Sequence, residues 1–166
     1  MVDDAHSLGV LAGGRGTAAH FGLTDKVDLV MGTFSKSFAS LGGIIAGDAP
    51  VVDYIKHNGR ALIFSASMTP ASAAAVLAAL HILQAEPERA ERVMAIGARM
   101  RAGFQALGFR TGPSETPIVP VIIGDDQTTL LLWRALFEAG VYVNPVVPPA
   151  VAPNLSLLRT SYMATH

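Results

Sequence analysis

The sequence predicts an α/β fold followed by a smaller α+β segment. The expectation rests on three observations. Short apolar runs end at glycine and alternate with helical stretches, as strands covered on both faces do. Threonine, aspartate and glycine stand where helices would begin and end. From residue 86 onward the alternation gives way to a long charged helix and several short strands.

Taken in order, Val27 to Met31 reads as a strand that Gly32 ends, Gly42 to Gly47 as the next, and Ala61 to Phe64 as a third. Pro50 to His57 forms a short helix closed by Asn58-Gly59. Thr69-Pro70 opens a long helix, with threonine as N-cap and proline in its first position. Its alanine-rich stretch, Ala71 to Ala85, suits close packing against neighbours. Glu86-Pro87 breaks it, and a second helix runs to Leu107, where Gly108 ends it. Glu88, Arg89, Glu91, Arg92, Arg99 and Arg101 are expected on a solvated face of that helix rather than at an anion site.

Beyond Phe109, Pro113 and Pro117 flank a polar loop, and Ile118 to Ile123 reads as a strand. Asp125 or Asp126 caps a helix through Ala139, with Leu130, Trp133, Leu136 and Phe137 at helical spacing and Gly140 at its close. Trp133 is expected in the core rather than as a ligand platform. Val141 to Val143 and Leu155 to Tyr162 are the last strands, joined by the proline-rich turn Pro145 to Pro153.

Composition excludes several classes. With 51% hydrophobic and 15% charged residues, the chain is too apolar for disorder, and its 166 residues can bury a core. A net charge of −1 gives no electrostatic case for nucleic acid or an anionic membrane. There is no cysteine, hence no disulfide framework or thiolate metal site. No apolar run reaches the roughly 20 residues of a membrane span, and no signal-peptide pattern opens the chain, so a cytoplasmic protein is expected.

The chemistry concentrates in two places. Gly32-Thr33-Phe34-Ser35-Lys36-Ser37 sets a lysine in a hydroxyl-rich turn directly after a strand. Such a lysine serves either as a Schiff-base nucleophile or as an ordinary surface residue. It is no P-loop lysine, because the glycines that motif needs before the lysine are absent, and Gly13-Gly14-Arg15-Gly16 lacks the spacing of a dinucleotide fingerprint. Upstream, Asp3 and His6 offer an acid able to hold a pyridinium nitrogen protonated and an imidazole near it. Alone, such a pair is more commonly a capping aspartate and a surface histidine. Thr33, Ser65 and Ser67 are small hydroxyls near apparent strand ends, suited to a phosphate but also routine in turns. Their joint occurrence points to a pyridoxal-phosphate (PLP) enzyme.

The motifs Asp3-Asp4-Ala5-His6-Ser7-x-Gly9, Gly14-Arg15-Gly16, the lysine turn, Gly42-Gly43 and Phe64-Ser65-Ala66-Ser67 resemble those of the α-oxoamine synthases. These are PLP-dependent acyl-CoA:amino-acid C-acyltransferases of fold type I, serine palmitoyltransferase and 8-amino-7-oxononanoate synthase among them. The resemblance runs to the end of the chain, where Arg159 and His166 resemble the family's Arg-x(6)-His signature. The Thr-Phe-Ser-Lys-Ser form of the lysine turn is closer to serine palmitoyltransferase.

The resemblance implies roles. Lys36 would bind the cofactor as a Schiff base and then act on the substrate α-proton; Asp3 would pair with the pyridinium nitrogen and His6 with the ring's phenolic oxygen. Thr33 would contact the phosphate, with Ser65 and Ser67 completing that site from the other subunit of a homodimer. Arg159 would clamp the amino-acid carboxylate. Substrates would be an acyl-CoA and a small amino acid (glycine, alanine or serine), and the product an α-amino ketone formed with loss of CoA and carbon dioxide. No metal is implied.

Residues 1–85 would then be the C-terminal part of a PLP-binding large domain, and residues 86–166 a small C-terminal domain incomplete at its end. Family members carry a long segment before the Asp-x-Ala-His motif, so the chain is expected to be the C-terminal portion of such an enzyme and to bind PLP poorly by itself. Two other readings stand beside this one: another fold type I enzyme such as an aminotransferase, and an inactive truncated homologue that docks on a partner.

Overall fold

A computed structural model describes residues 1–166 of the chain, which divides into two compact units, Met1–Glu91 and Arg92–His166. The first unit holds a three-stranded sheet in the order β1 (Val2–Asp3), β2 (Leu29–Thr33), β3 (Gly43–Gly47). β1 runs parallel to β2, with Val2 opposite Val30 and Asp3 opposite Met31. β3 runs antiparallel to β2, from Leu29 opposite Gly47 to Thr33 opposite Gly43. Glycine at position 32 is dictated by packing, because a Cβ there would stand 2.7 Å from Leu8 Cδ2.

Helix α1 (Thr17–His20) and a 3-10 turn at Thr24–Lys26 precede β2. After β3 come α2 (Ala49–Asn58), α3 (Arg60–Ile63) and α4 (Pro70–Ala85). α3 corrects the strand expected at Ala61 to Phe64. A four-residue apolar run has too short a period to distinguish strand from helix. Here Gly59 accepts from the Leu62 and Ile63 amides at 2.9 and 3.0 Å and starts a helical turn instead. Arg60 then lies over the Phe64 ring, 5.8 Å from its centre.

The N-cap reading of α4 holds: Thr69 Oγ1 accepts from the Ser72 amide at 3.2 Å, and Pro70 takes the first turn. Ser72, Val76, Ala79 and Leu83 form its half-buried stripe, and Leu83 packs on the Gly13-Gly14 loop, where a Cβ on Gly14 would come within 2.9 Å of it. The rest of α4 is open, including Leu77, Leu80 and Ile82. Burial on both faces, expected for the strands, fails for β3, an edge strand whose five residues are all exposed. Close packing all round α4 fails as well, because only one stripe of it meets a neighbour.

The border between the units falls inside α5 (Glu88–Ala106). The second unit contains β4 (Ile118–Gly124), α6 (Asp126–Glu138), β5 (Asn144–Val146) and β6 (Ser156–Ser161). They form an antiparallel sheet in the order β4-β6-β5. Val121, Val143 and Leu158 form its core, against which Phe104, Ile123, Leu132, Trp133 and Leu136 pack, so Trp133 is a core residue as expected.

In this unit one expectation is narrowed and two are corrected. Asp125 is the cap of α6, accepting from the Thr128 amide at 2.7 Å, and the Thr129 hydroxyl donates to the Asp125 carbonyl at 2.7 Å. Thr129, Leu132, Trp133 and Leu136 face inward, while Leu130 and Phe137 stay exposed. The strand expected at Val141 to Val143 begins at Asn144, because the Val141 amide is used to close α6 on the Leu136 carbonyl at 2.8 Å. Arg101, expected on a solvated face, is half-buried and donates through Nη2 to the Thr116 carbonyl at 2.9 Å. Gly97 permits this approach, since a Cβ there would lie 2.7 Å from Pro117 Cα. No helix is long and apolar enough to cross a membrane.

Candidate functional site

The parallel pairing of β1 and β2 brings the carboxyl ends of both strands to the same edge of the sheet, the place where open α/β sheets bind ligands. Asp3 ends β1 and Thr33 ends β2. Past Asp3 the chain turns sharply, with the Ser7 and Leu8 amides donating to the Asp4 carbonyl at 3.2 and 3.0 Å. Asp3 and His6 are both exposed on this turn, and Asp3 Oδ1 accepts from the Ala5 amide at 2.9 Å.

Past Thr33 a second turn carries Lys36. The Phe34 and Phe38 rings are each 6% exposed and meet edge-to-face with centroids 5.6 Å apart, so both flanks of the turn are sunk while Lys36 stands exposed between them. The Ser40 amide closes on the Phe34 carbonyl at 2.8 Å, and the Ser40 hydroxyl reaches the Ser72 carbonyl of α4 at 3.0 Å. The Thr33 hydroxyl donates to the Gly42 carbonyl at 3.2 Å and lies 3.0 Å from the Ser35 hydroxyl.

The two turns are tied directly. Ser37 Oγ donates to the Leu8 carbonyl at 2.5 Å, and Gly9, at φ 83°, lies so close that a Cβ on it would stand 2.5 Å from Ser37 Oγ. Asp3, His6, Thr33 and Lys36 therefore share one end of one sheet, on turns that cannot shift independently.

Other expected residues stand elsewhere. Ser65 donates to the Ala61 carbonyl at 2.5 Å, closing α3, and Ser67 lies exposed between α3 and α4. Arg159 is half-buried on β6 in the second unit, opposite Pro120 on one side and Asn144 on the other.

Residue-by-residue reading passed over Asp4. It is 1% exposed and accepts from Ser7 Oγ at 2.5 Å and from the Thr17 amide at 3.0 Å. Burial pushes its carboxyl up, but the bonds from the Ser7 hydroxyl and from the Thr17 hydroxyl and amide outweigh this and hold it below the ordinary carboxylate value. The available signal was the acidic doublet itself, since successive residues of a strand point to opposite faces.

These features belong to the PLP-dependent transferase fold of type I. Comparison with known proteins agrees. The family described as aminotransferase class I and II matches residues 1–166. A serine palmitoyltransferase from Sphingobacterium spiritivorum is 56% identical across 100% of this chain, which spans 42% of that protein's length. A putative 8-amino-7-oxononanoate synthase 2 from Mycobacterium tuberculosis is 52% identical over 99% of the chain, which spans 22% of its length. Among solved structures, a serine palmitoyltransferase variant from S. paucimobilis with a bound PLP-myriocin aldimine superposes with a TM-score of 0.93 at 34% identity. That match covers 99% of this chain and 42% of the other. The chain belongs to the aminotransferase class I and II family and, within it, to the α-oxoamine synthases.

The residues present fit PLP. An exposed primary amine, an exposed carboxylate, an imidazole and a strand-end hydroxyl are the groups that an aldehyde, a pyridinium nitrogen, a phenolic oxygen and a phosphate require.

Proposed function

We propose that the chain carries the lysine-bearing part of a PLP-dependent acyl-CoA:amino-acid C-acyltransferase of the serine palmitoyltransferase kind. The observation that best supports this is the Ser37–Leu8 hydrogen bond, which ties the turn bearing Lys36 to the turn bearing Asp3 and His6. When bound, PLP supplies an electron sink conjugated to the substrate Cα.

The protein's own groups do the rest. Asp3 would pair with the ring nitrogen and favour its protonated form, and His6 would donate to the phenolic oxygen. Lys36 would hold the cofactor through its amine and, with that amine free, would serve as the base for the substrate Cα proton. Thr33 offers its hydroxyl to the phosphate, and Ser65 and Ser67 do so from the second copy of a homodimer. Arg159 holds the amino-acid carboxylate through its planar fork. Cα of glycine, alanine or serine joins the acyl carbonyl of an acyl-CoA, releasing CoA and carbon dioxide and leaving an α-amino ketone. The 56% identity to a serine palmitoyltransferase supports serine as the amino acid, and a cytoplasmic location suits these substrates.

The chain has three lysines, Lys26, Lys36 and Lys56, all exposed. Incubation with PLP followed by borohydride reduction and peptide mapping is expected to give low total labelling of the isolated chain, with Lys36 labelled in preference to the other two. Even labelling of all three overturns the reading. Release of free CoA and carbon dioxide from an amino acid and acyl-CoA separates this activity from that of an aminotransferase, which yields a keto acid.

A further inference from the structure

Asp4 is the carboxylate that the first unit buries, and three segments meet on it. Its amide donates to the Met31 carbonyl of β2 at 2.8 Å, and its carbonyl accepts the Ser7 and Leu8 amides. Its side chain takes the Ser7 hydroxyl at 2.5 Å through Oδ1 and the Thr17 amide at 3.0 and 3.2 Å through both oxygens. The Thr17 hydroxyl completes the ring by donating to Ser7 Oγ at 2.9 Å. Gly16, at φ 92°, is part of the same arrangement, because a Cβ on it would overlap Asp4 Oδ2.

The neighbours of Asp4 on this turn are Asp3 and His6, both exposed. The backbone that carries them is fastened at Asp4. We infer that Asp4 is a positioning residue of the site: its buried carboxylate locks the Asp3–His6 turn onto the Gly14–Thr17 segment and so aims Asp3 and His6 at the cofactor ring. The inference rests on the function proposed above only in its last clause. Asp4 itself touches no cofactor.

The chemistry requires a carboxylate. Ser7 Oγ and the Thr17 amide both donate to it, and an ionised carboxylate accepts on both oxygens. An asparagine with its oxygen in the Oδ1 position still accepts there but turns an NH2 toward the Thr17 amide, and with its oxygen in the Oδ2 position it turns that NH2 toward the Ser7 hydroxyl and the Thr17 amide, so in either orientation a buried donor faces a donor.

The test compares the chain with its Asp4→Asn and Ser7→Ala variants by amide hydrogen exchange. In Asp4→Asn, the Ala5 amide (held by Asp3) and the Thr17 amide are expected to exchange about tenfold faster or more, while the β2 amides keep their protection. Ser7→Ala moves the same two amides in the same direction by a smaller factor. It decides the matter by itself if Asp4→Asn does not fold. Unchanged Ala5 exchange overturns the inference, and so does equal acceleration at Ala5 and throughout β2, which would make Asp4 a general stabiliser.

PLP labelling gives a second readout. Asp4→Asn is expected to lower the share of label on Lys36 relative to Lys26 and Lys56, and an unchanged share overturns the aiming of Asp3 and His6 at the ring. If the parent chain itself labels evenly, the proposed function fails, while the exchange data still decide whether Asp4 fastens the turn.

Discussion

Gly9→Ala puts the coupling of the two turns to a quantitative test. A Cβ at this position would stand 2.5 Å from Ser37 Oγ and 2.6 Å from Ser37 Cβ, where ordinary contact begins at 3.4 Å. Ser37 must therefore retreat by about 1 Å, enough to break its bond to the Leu8 carbonyl, which costs about 1 kcal/mol. Gly9 also sits at φ 83°, where an L-residue adds about 1–2 kcal/mol of strain. The substitution is expected to destabilise the first unit by about 2–3 kcal/mol in urea titration. With Ser37→Gly already in place, both the clash and the bond are gone, so adding Gly9→Ala costs only the strain. The cycle then returns a coupling of about 1 kcal/mol. A displacement of that size at the lysine turn lowers the rate of PLP attachment at Lys36 by up to about a hundredfold. An identical cost of Gly9→Ala in both backgrounds would refute the contact and, with it, the tie between the turns.

Other perturbations have expected outcomes. Thr69→Ala removes the N-cap of α4 and is expected to cost about 1 kcal/mol, read from the urea midpoint of the first unit. Val119→Ala, at a fully buried β4 position, is expected to cost about 2–3 kcal/mol through lost transfer energy and the cavity left behind, read from the second unit's melt. Acid weakens both units. Asp4 is held low because the Ser7 and Thr17 bonds outweigh its burial, and Asp125 because the Thr128 amide donates to it. Unfolded, each titrates near 3.8, so the unfolded chain takes up the proton first and stability present above that pH is lost as pH falls through the lower folded values. Asp125→Asn is expected to flatten the acid limb of the second unit's stability profile as pH falls through and below the unfolded value near 3.8.

Much of this was legible because it is local. The caps at Thr69 and Asp125 and the stops at Gly108 and Gly140 depend on residues within one turn, and sequence displays them directly. The lysine turn was readable for the same reason. What escaped depends on contacts across the chain. α3 is the exception, a local miss, because a four-residue apolar run has too short a period to tell helix from strand. The inward face of α6 depends on the sheet it packs against, and the spacing of its large residues does not by itself show that Leu130 and Phe137 stay exposed. Asp4 was visible as part of a motif, but its amide partner Thr17 lies thirteen positions on, beyond the Gly13–Gly16 loop that brings it back.

The sunken Phe34 and Phe38 have a practical consequence for the lysine between them. They and the backbone bonds of the turn fasten the loop without using the amine, so the group that would react is not among the groups that hold the shape. Lys36→Ala is then chemically silent but conformationally ordinary. It supplies a blank that separates what the amine does from what the scaffold does, and a place where a different reactive side chain can be installed without redesigning its support.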